Sequence, residues 1–127
     1  MRGKNIIAQK AKTFQKVLHS LATVQERSPE NLFNHLRNGF ANVNRAGTNV
    51  ITEILHNQDK QIFAVMNQNS VSGLGLAEFY GYPKKPNKQN VDGAMYARFC
   101  ADAKMVRQEL GLADFSELDA LLNYAYW

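Results

Sequence analysis

The sequence predicts an all-α fold, a compact bundle of six or seven helices without a significant sheet, in a single domain covering residues 1–127. Apolar residues recur at intervals of three and four along most of the chain, which is the period of amphipathic helices. Capping and turn-forming residues divide this pattern into segments of helical length. A chain of 127 residues with 45% hydrophobic residues is also long enough to bury its own core.

The first two helices have the clearest patterns. From Ile6 to about Gln25 the apolar residues follow one helical face, and basic residues occupy the outer face. A second helix is predicted to begin at Ser28, whose hydroxyl can cap the helix, with Pro29 at the first helical position. We expect the buried side of the second helix to consist of Leu32, Phe33, Leu36 and Phe40.

The middle of the chain predicts a short helix, a crossing and another short helix. The third helix is expected to start at Thr48 and to carry Glu53 and His56 near its end. Residues 62–66 are too few and too apolar to classify by periodicity. Because the chain offers no second strand candidate, we expect a buried extended crossing there. Asn67 or Asn69 is then predicted to cap the fourth helix.

A basic loop separates these helices from the last two. Two prolines hold residues 81–90 in an extended conformation. Asp92 or Asn90 is predicted to cap a long helix that reaches Leu110 and is ended by Gly111, and Asp114 is predicted to cap the final helix. The positions expected to be buried in these two helices are Tyr96, Phe99, Ala103, Val106, Leu110, Phe115, Leu118, Leu122 and Ala125.

The composition indicates the cellular compartment and argues against a membrane or secreted protein. The chain has no apolar run near the roughly 20 residues that a membrane span needs, and its start lacks the apolar centre of a secretory signal. The single cysteine, Cys100, cannot form an internal disulfide and is expected to be a buried apolar residue. We therefore expect a cytoplasmic protein that does not enter a membrane.

Charge is distributed unevenly, although the net charge is only +4. Residues 1–25 contain five basic residues and no acidic residue, whereas residues 108–127 contain four acidic residues and no basic residue. Such asymmetry can guide a polyanion to one face, or it can let the two ends attract each other across the bundle. The sequence leaves both interpretations open.

The basic loop is the leading candidate for a nucleic-acid contact. Lysines neutralise phosphates and tyrosines can stack on bases, and the loop combines both residue types. An ordinary solvated loop would have the same composition. The residues predicted to bind nucleic acid, including two from the first helix, are Lys84, Lys85, Lys88, Tyr82, Lys12 and Lys16.

Glu53, His56 and Asn67 are candidates for a polar pocket, and a third hypothesis, an enzymatic one, would require them to converge there. A spacing of three places the carboxylate and the imidazole on one helical face, which is half of the site that a helical bundle uses for metals. The matching half is missing, so a packed or capping histidine is the favoured interpretation. Gly73 and Gly75 lack the context of a phosphate-binding loop and are expected to end a helix. We predict no catalytic residue, no metal ligand and no cofactor.

The chain finishes with three aromatic residues in its last four positions, Tyr124, Tyr126 and Trp127. If the last helix docks fully, these side chains complete the core. If its end projects, they form an apolar patch suited to a homodimer or to a partner protein. A protein-interaction module is therefore the alternative to a nucleic-acid-binding module.

Several segments between residues 50 and 122 resemble known helical modules. The segments are Ile-Leu-His at 54–56, Asp-Lys-x-x-Phe-Ala-Val at 59–65, Asn-Gln-Asn-Ser-Val at 67–71, Ala-Arg-Phe at 97–99 and Gly-Leu-Ala-Asp-Phe-Ser-Glu-Leu-Asp-Ala-Leu-Leu at 111–122. In this order they resemble a helical module found beside restriction and other defence-associated ATPases. They are also loosely similar to the helical scaffold of DNA glycosylases.

The resemblance implies a free-standing helical module of mobile-element origin that associates with nucleic acid. The chain lacks a nuclease or ATPase region and the Leu-Pro-Gly hairpin loop, and it has Asn67 where the glycosylase pattern favours an acid. Catalysis therefore does not carry over from either family, and the expected role is that of a small binding module.

Overall fold

The computed structural model describes residues 2–125, with side chains from residue 7 to residue 124. Over this part of the chain the fold is all-α, as predicted, and it contains no strand. A 3-10 turn at Leu21–Thr23 extends the first helix, and the six α-helices are α1 (Arg2–Ser20), α2 (Pro29–Gly39), α3 (Thr48–Gln58), α4 (Gln68–Leu76), α5 (Gly93–Glu109) and α6 (Phe115–Ala125).

The predicted caps are confirmed because each depends on residues that are close in sequence. The Ser28 side chain accepts a hydrogen bond from Asn31 N, and Asp92 accepts one from Met95 N. Asn67, rather than Asn69, caps α4 through a reciprocal pair of bonds with Ser70. At the start of α6, Asp114 Oδ1 accepts from Glu117 N at 3.0 Å. These contacts satisfy amide groups that have no partner inside the helix.

Helices α2 and α5 form the closest helix pair at the centre of the fold. Phe33 and Tyr96 stack between them with ring centroids 5.0 Å apart. Gly93 N donates to Asn34 Oδ1 at 2.8 Å, and a Cβ atom at Gly93 would lie 2.3 Å from the Glu30 carbonyl oxygen. Glycine is therefore required at this position because the two backbones approach too closely for any side chain.

Between α3 and α4 the chain makes the expected buried crossing, which belongs to neither a helix nor a strand. Residues 63–66 are buried, and Tyr96 Oη donates to Ala64 O at 2.7 Å. Met66 N donates to Thr52 Oγ1 at 2.9 Å, so side chains rather than a neighbouring strand satisfy this backbone. The prediction that the burial begins at Ile62 is wrong, because Ile62 lies in the preceding turn and is exposed.

Two further predictions about packing are wrong. Leu110 is exposed because α5 ends at Glu109, so Leu110 follows the helix and does not continue the buried face that ends at Val106. Gly73 does not end a helix but lies inside α4 against α6, where an added Cβ atom would be 2.6 Å from Leu122 Cδ2. Gly111 does end α5, as predicted, in a left-handed conformation with φ of +68°.

Among its described side chains, helix α1 packs against the core from Phe14 onward. Val17 and Leu21 are buried, and Phe14 stacks on Phe40 with ring centroids 5.1 Å apart. In contrast, all side chains from residue 7 to residue 13 are exposed. In residues 2–125, no helix is both long enough and apolar enough to span a membrane.

Candidate functional site

A groove beside the end of α4 brings aromatic and basic side chains together. We call it the tyrosine groove. It has a volume of about 190 Å³, which is smaller than the roughly 300–1,000 Å³ usual for sites that bind small molecules. Its lining includes Ser72 and Gly75 from α4 and then Phe79, Tyr80, Tyr82 and Lys84. Its size suits one flat ring rather than a large ligand.

The end of α4 determines where the groove begins. Phe79 N donates to Leu74 O and Glu78 N donates to Gly75 O, the paired bonds that commonly terminate a helix. Glu78 adopts φ of +66°, a conformation that glycine usually occupies. The chain therefore turns sharply and leaves Tyr80 73% exposed at the rim of the groove.

Tyr82 forms a fixed wall of the groove. Its ring meets the edge of Phe99 at a centroid distance of 5.3 Å, and the Arg98 guanidinium lies over it at 4.6 Å. Its hydroxyl donates to Asp102 Oδ2. Burial and this bond raise the pKa of Tyr82 to about 12, so the side chain remains a neutral donor at ordinary pH. Tyr82 is less available for stacking than the sequence suggested.

The three loop lysines have different environments. Lys84 and Lys85 are exposed, and Lys84 lines the tyrosine groove. Lys88 instead points into the protein, where Nζ donates to Phe40 O at 2.7 Å and to Val43 O at 2.9 Å. A positive charge stabilises the carbonyl end of α2. Lys88 is therefore a structural cap, which argues against its predicted role in binding phosphates.

The two predicted contacts on the first helix remain accessible. Lys12 and Lys16 are exposed and lie four residues apart on α1, so their side chains project from the same face. This face is opposite the one that carries Phe14 and Val17 into the core. The helix thus presents a basic outer face, in agreement with the sequence pattern.

His56 links three segments of the chain rather than lining an open pocket. Its Nδ1 atom donates to Phe63 O at 2.8 Å, since a carbonyl oxygen can only accept. In the neutral ring, Nε2 then accepts from Ser116 Oγ at 3.0 Å. A hydroxyl beside an oriented imidazole can serve catalysis, but this pair lies between packed elements. Its geometry matches the packed histidine favoured by the sequence.

Glu53 and Asn67 do not share a cavity with His56 in the structure. Glu53 is exposed, and the Asn67 side chain is occupied in capping α4. A cavity of only about 10 Å³ lies beneath α6 and is lined by Asp119, with room for about one water molecule. The Asp119 Oδ1 atom is buried without a hydrogen-bond partner, and burial raises the pKa of this carboxyl. His56 nearby lowers it in part.

The described His, Cys, Asp and Glu side chains are spread over the fold rather than clustered. Among the side chains described, no three His, Cys, Asp or Glu residues lie close enough together to hold a metal ion. Cys100 is buried in α5, as predicted, and burial raises the pKa of its thiol to about 11. Because the thiolate is the reactive form, burial and the raised pKa make Cys100 a packing residue rather than a nucleophile.

The last helix projects an aromatic side chain. Tyr124 is 80% exposed, and Leu121 on the same face is exposed as well. The two other residues predicted to form the aromatic patch, Tyr126 and Trp127, lie outside the described residues. At Tyr124 the projecting-end alternative is therefore favoured over completion of the core.

Sequence reasoning missed the residues that hold Tyr82 and His56 in place. Arg98, Asp102 and Ser116 lie 16, 20 and 60 positions away from their partners. The spacing of Arg98 and Asp102 on α5 does place both on one face, but nothing in the sequence indicates that Tyr82 packs there.

Comparisons with profiles of known families, with curated proteins and with solved structures find no match to this chain. The resemblance to defence-associated helical modules and to the glycosylase scaffold therefore stays a prediction.

Proposed function

We propose that this protein binds single-stranded nucleic acid through the tyrosine groove. The observation that carries the proposal is Tyr80, a tyrosine that is 73% exposed beside Lys84 in a groove of about 190 Å³. Proteins that bind single strands without strong sequence preference use aromatic side chains for stacking and basic side chains for phosphates. Tyr80 would stack on a base, and Lys84 and Lys85 would contact the adjoining phosphates.

The surroundings of the groove support this assignment. Tyr82 is held by Phe99, Arg98 and Asp102, so the wall behind a stacked base needs no rearrangement on binding. Arg98 also donates through Nη2 to Gly81 O at 2.7 Å, which fixes the turn that carries Tyr82. A preformed wall lowers the entropy lost on binding. Lys12 and Lys16 on α1 would add a second, weaker electrostatic contact.

The proposal is tested by fluorescence anisotropy with labelled single-stranded and double-stranded DNA of about 16 nucleotides. We expect saturable binding of the single strand that weakens between about 50 and about 200 mM salt. Tyr80→Ala should reduce the affinity about tenfold, because stacking contributes roughly 1–3 kcal/mol per base. The double variant with Lys84→Ala and Lys85→Ala should have a shallower salt dependence.

Lys104→Ala is the matched control, because Lys104 is an exposed lysine on another face of α5. It should bind like the unchanged protein. No saturable binding at the lower salt concentration, or equal affinities for Tyr80→Ala and Lys104→Ala, would remove the tyrosine groove as a nucleic-acid site.

We propose as a second function that α6 contacts another protein molecule through its exposed face. The supporting observation is Tyr124, which is 80% exposed. The opposite side of the same helix buries Phe115, Leu118 and Leu122. Tyrosine is enriched in protein interfaces and among the residues that contribute most of the binding energy. Removing Tyr126 and Trp127, together with Tyr124→Ser, should lower the average mass in light scattering. An unchanged mass would count against this function.

A further inference from the structure

A second groove runs along α1 and ends at the turn that follows α2. We call it the α1 groove. It has a volume of about 460 Å³ and is lined by Ile7, Lys10, Ala11, Phe14, Gln15, Val43 and Asn44. Ile7 is 70% exposed at its rim, and Phe14 forms its floor where it stacks on Phe40. The groove is therefore mainly apolar, with Lys10 as its one basic residue.

The exposed face of α6 has a matching size and chemistry. Glu117, Leu121 and Tyr124 are spaced by four and three residues, so they form one stripe along the helix. We call it the α6 stripe. Its ends are seven residues apart, as are Ile7 and Phe14, so each surface is about 10 Å long. Each surface thus combines two large apolar side chains with one charge, and the two charges are opposite.

Lys10 on α1 and Glu117 on α6 are both exposed, although one carboxylate oxygen of Glu117 also accepts a hydrogen bond from Ala113 N at 2.8 Å. Helix α1 packs against α2 and the 3-10 turn, whereas α6 packs against α4 and α5. The sequence left open whether the basic and acidic ends attract each other across the bundle. Because the two helices have different packing partners, their complementary charges are available for a contact between molecules.

We infer that the α6 stripe of one molecule docks into the α1 groove of a second copy. The inference rests on the second proposed function, in which α6 contacts another protein molecule. Tyr124 and Leu121 enter the apolar groove beside Ile7 and Phe14, and Glu117 faces Lys10. Each copy carries both surfaces, so the contact joins unlike surfaces and produces open chains or closed rings.

The contact areas are small, so the association is expected to be weak and sensitive to salt. Sedimentation velocity of the full chain should give a mass that rises with protein concentration and falls when salt is added. Lys10→Glu should weaken the association about fivefold, since it turns an attraction into a repulsion at an exposed site where pairs contribute about 1 kcal/mol or less.

Cross-linking with a short bis-maleimide identifies which surfaces meet. Ala11→Cys places a thiol in the middle of the α1 groove, and Ala120→Cys places one beside the middle of the α6 stripe. Both alanines are exposed, whereas the native Cys100 is buried with its pKa raised to about 11, so it should react much more slowly, and the unchanged protein gives its background. Ala94→Cys, at an exposed position on α5, is the control.

The inference predicts cross-linked dimers when the Ala11→Cys and Ala120→Cys proteins are mixed, and much less product from either protein alone or with Ala94→Cys. Dimers from Ala120→Cys alone would mean that two α6 stripes meet; this would overturn the role of the α1 groove but leave the protein-contact function of α6. A constant monomeric mass without cross-linking would overturn both.

Discussion

Helices α2 and α5 meet almost backbone to backbone, whereas residues 7–13 of α1 are exposed along their whole length. At the α2–α5 contact, Gly93 leaves no space for a Cβ atom, and Asn34 binds its amide group. On α1, all side chains from residue 7 to residue 13 are exposed. Both regions are helical, but only the first is fixed by its surroundings.

This difference separates residues that hold the fold from residues that are free to bind. A helix that packs on one face buries its apolar residues in the core, as α5 buries Tyr96 and Phe99. Helix α1 leaves Ile7 70% exposed and keeps a basic outer face. Substitutions at the α2–α5 contact should therefore change stability, and substitutions in the first half of α1 should change association.

The largest expected effect is at the α2–α5 contact. Gly93→Ala would place a Cβ atom 2.3 Å from the Glu30 carbonyl oxygen and would push apart the bond to Asn34. We expect the free energy of unfolding to fall by about 3 kcal/mol or more, measured by urea denaturation.

Gly75→Ala is the matched control, because no atom lies within 4 Å of an added Cβ atom at that position in α4. It should raise stability by about 0.5–1 kcal/mol, since alanine favours a helix over glycine. A loss at Gly93→Ala of less than about 1 kcal/mol would mean that α2 and α5 can separate without difficulty.

The next largest effect tests where α1 becomes part of the core. Phe14 is half-buried and stacks on Phe40. Phe14→Ala should reduce the free energy of unfolding by about 2.5 kcal/mol, which is less than the loss at a fully buried phenylalanine. If stability changed by less than about 0.5 kcal/mol, the whole of α1 would be detached from the fold rather than its first half alone.

Lys88 ties the basic loop to the end of α2, so this part of the loop belongs to the packed region around the α2–α5 contact. Lys88→Met keeps the length of the side chain but loses the hydrogen bond to Phe40 O at the end of α2 and the one to Val43 O in the turn that follows. We expect a loss of about 2 kcal/mol in thermal or urea denaturation. Lys85→Met should change stability by less than about 0.5 kcal/mol, because Lys85 is exposed. Equal losses would remove the distinction between the two lysines.

The smallest effect is expected at Ile7. Ile7→Ala should change the free energy of unfolding by less than about 0.5 kcal/mol, because its side chain is mostly exposed and alanine favours a helix. The same substitution should weaken self-association in sedimentation velocity if the α1 groove is an interface. A large loss of stability with unchanged association would mean that Ile7 holds the fold, as residues of α5 do, and is not part of an interface.

Sequence reasoning predicted features that depend on nearby residues. Ser28, Asn67, Asp92 and Asp114 cap helices through bonds that span three residues, so short patterns were sufficient. The buried stripe of α2 followed in the same way from its helical period. Errors came where a helix ended, as at Leu110, or where the chain turned, as at Ile62.

The candidate site was less predictable because its geometry depends on distant contacts. In the sequence Lys88 resembles its neighbours Lys84 and Lys85. In the structure, its ammonium group donates hydrogen bonds to carbonyl oxygens at and just after the end of α2. Gly73 looked like the end of a helix, yet the reason for a glycine there is Leu122 on another helix. Such roles arise from tertiary packing, on which local patterns carry no information.

The buried Cys100 is a native probe of how often the structure around α5 opens. Its thiol lies on α5 at the floor of a shallow surface groove beside Ile62 and Phe115 and is only 6% exposed, so most of its reaction with a thiol reagent requires the surrounding side chains to move apart. The rate of labelling therefore measures how often the core opens, without any added probe. Labelling that accelerates with urea in step with global unfolding would mean that α5 opens only when the whole chain does. A faster, urea-independent phase would reveal local breathing of α5.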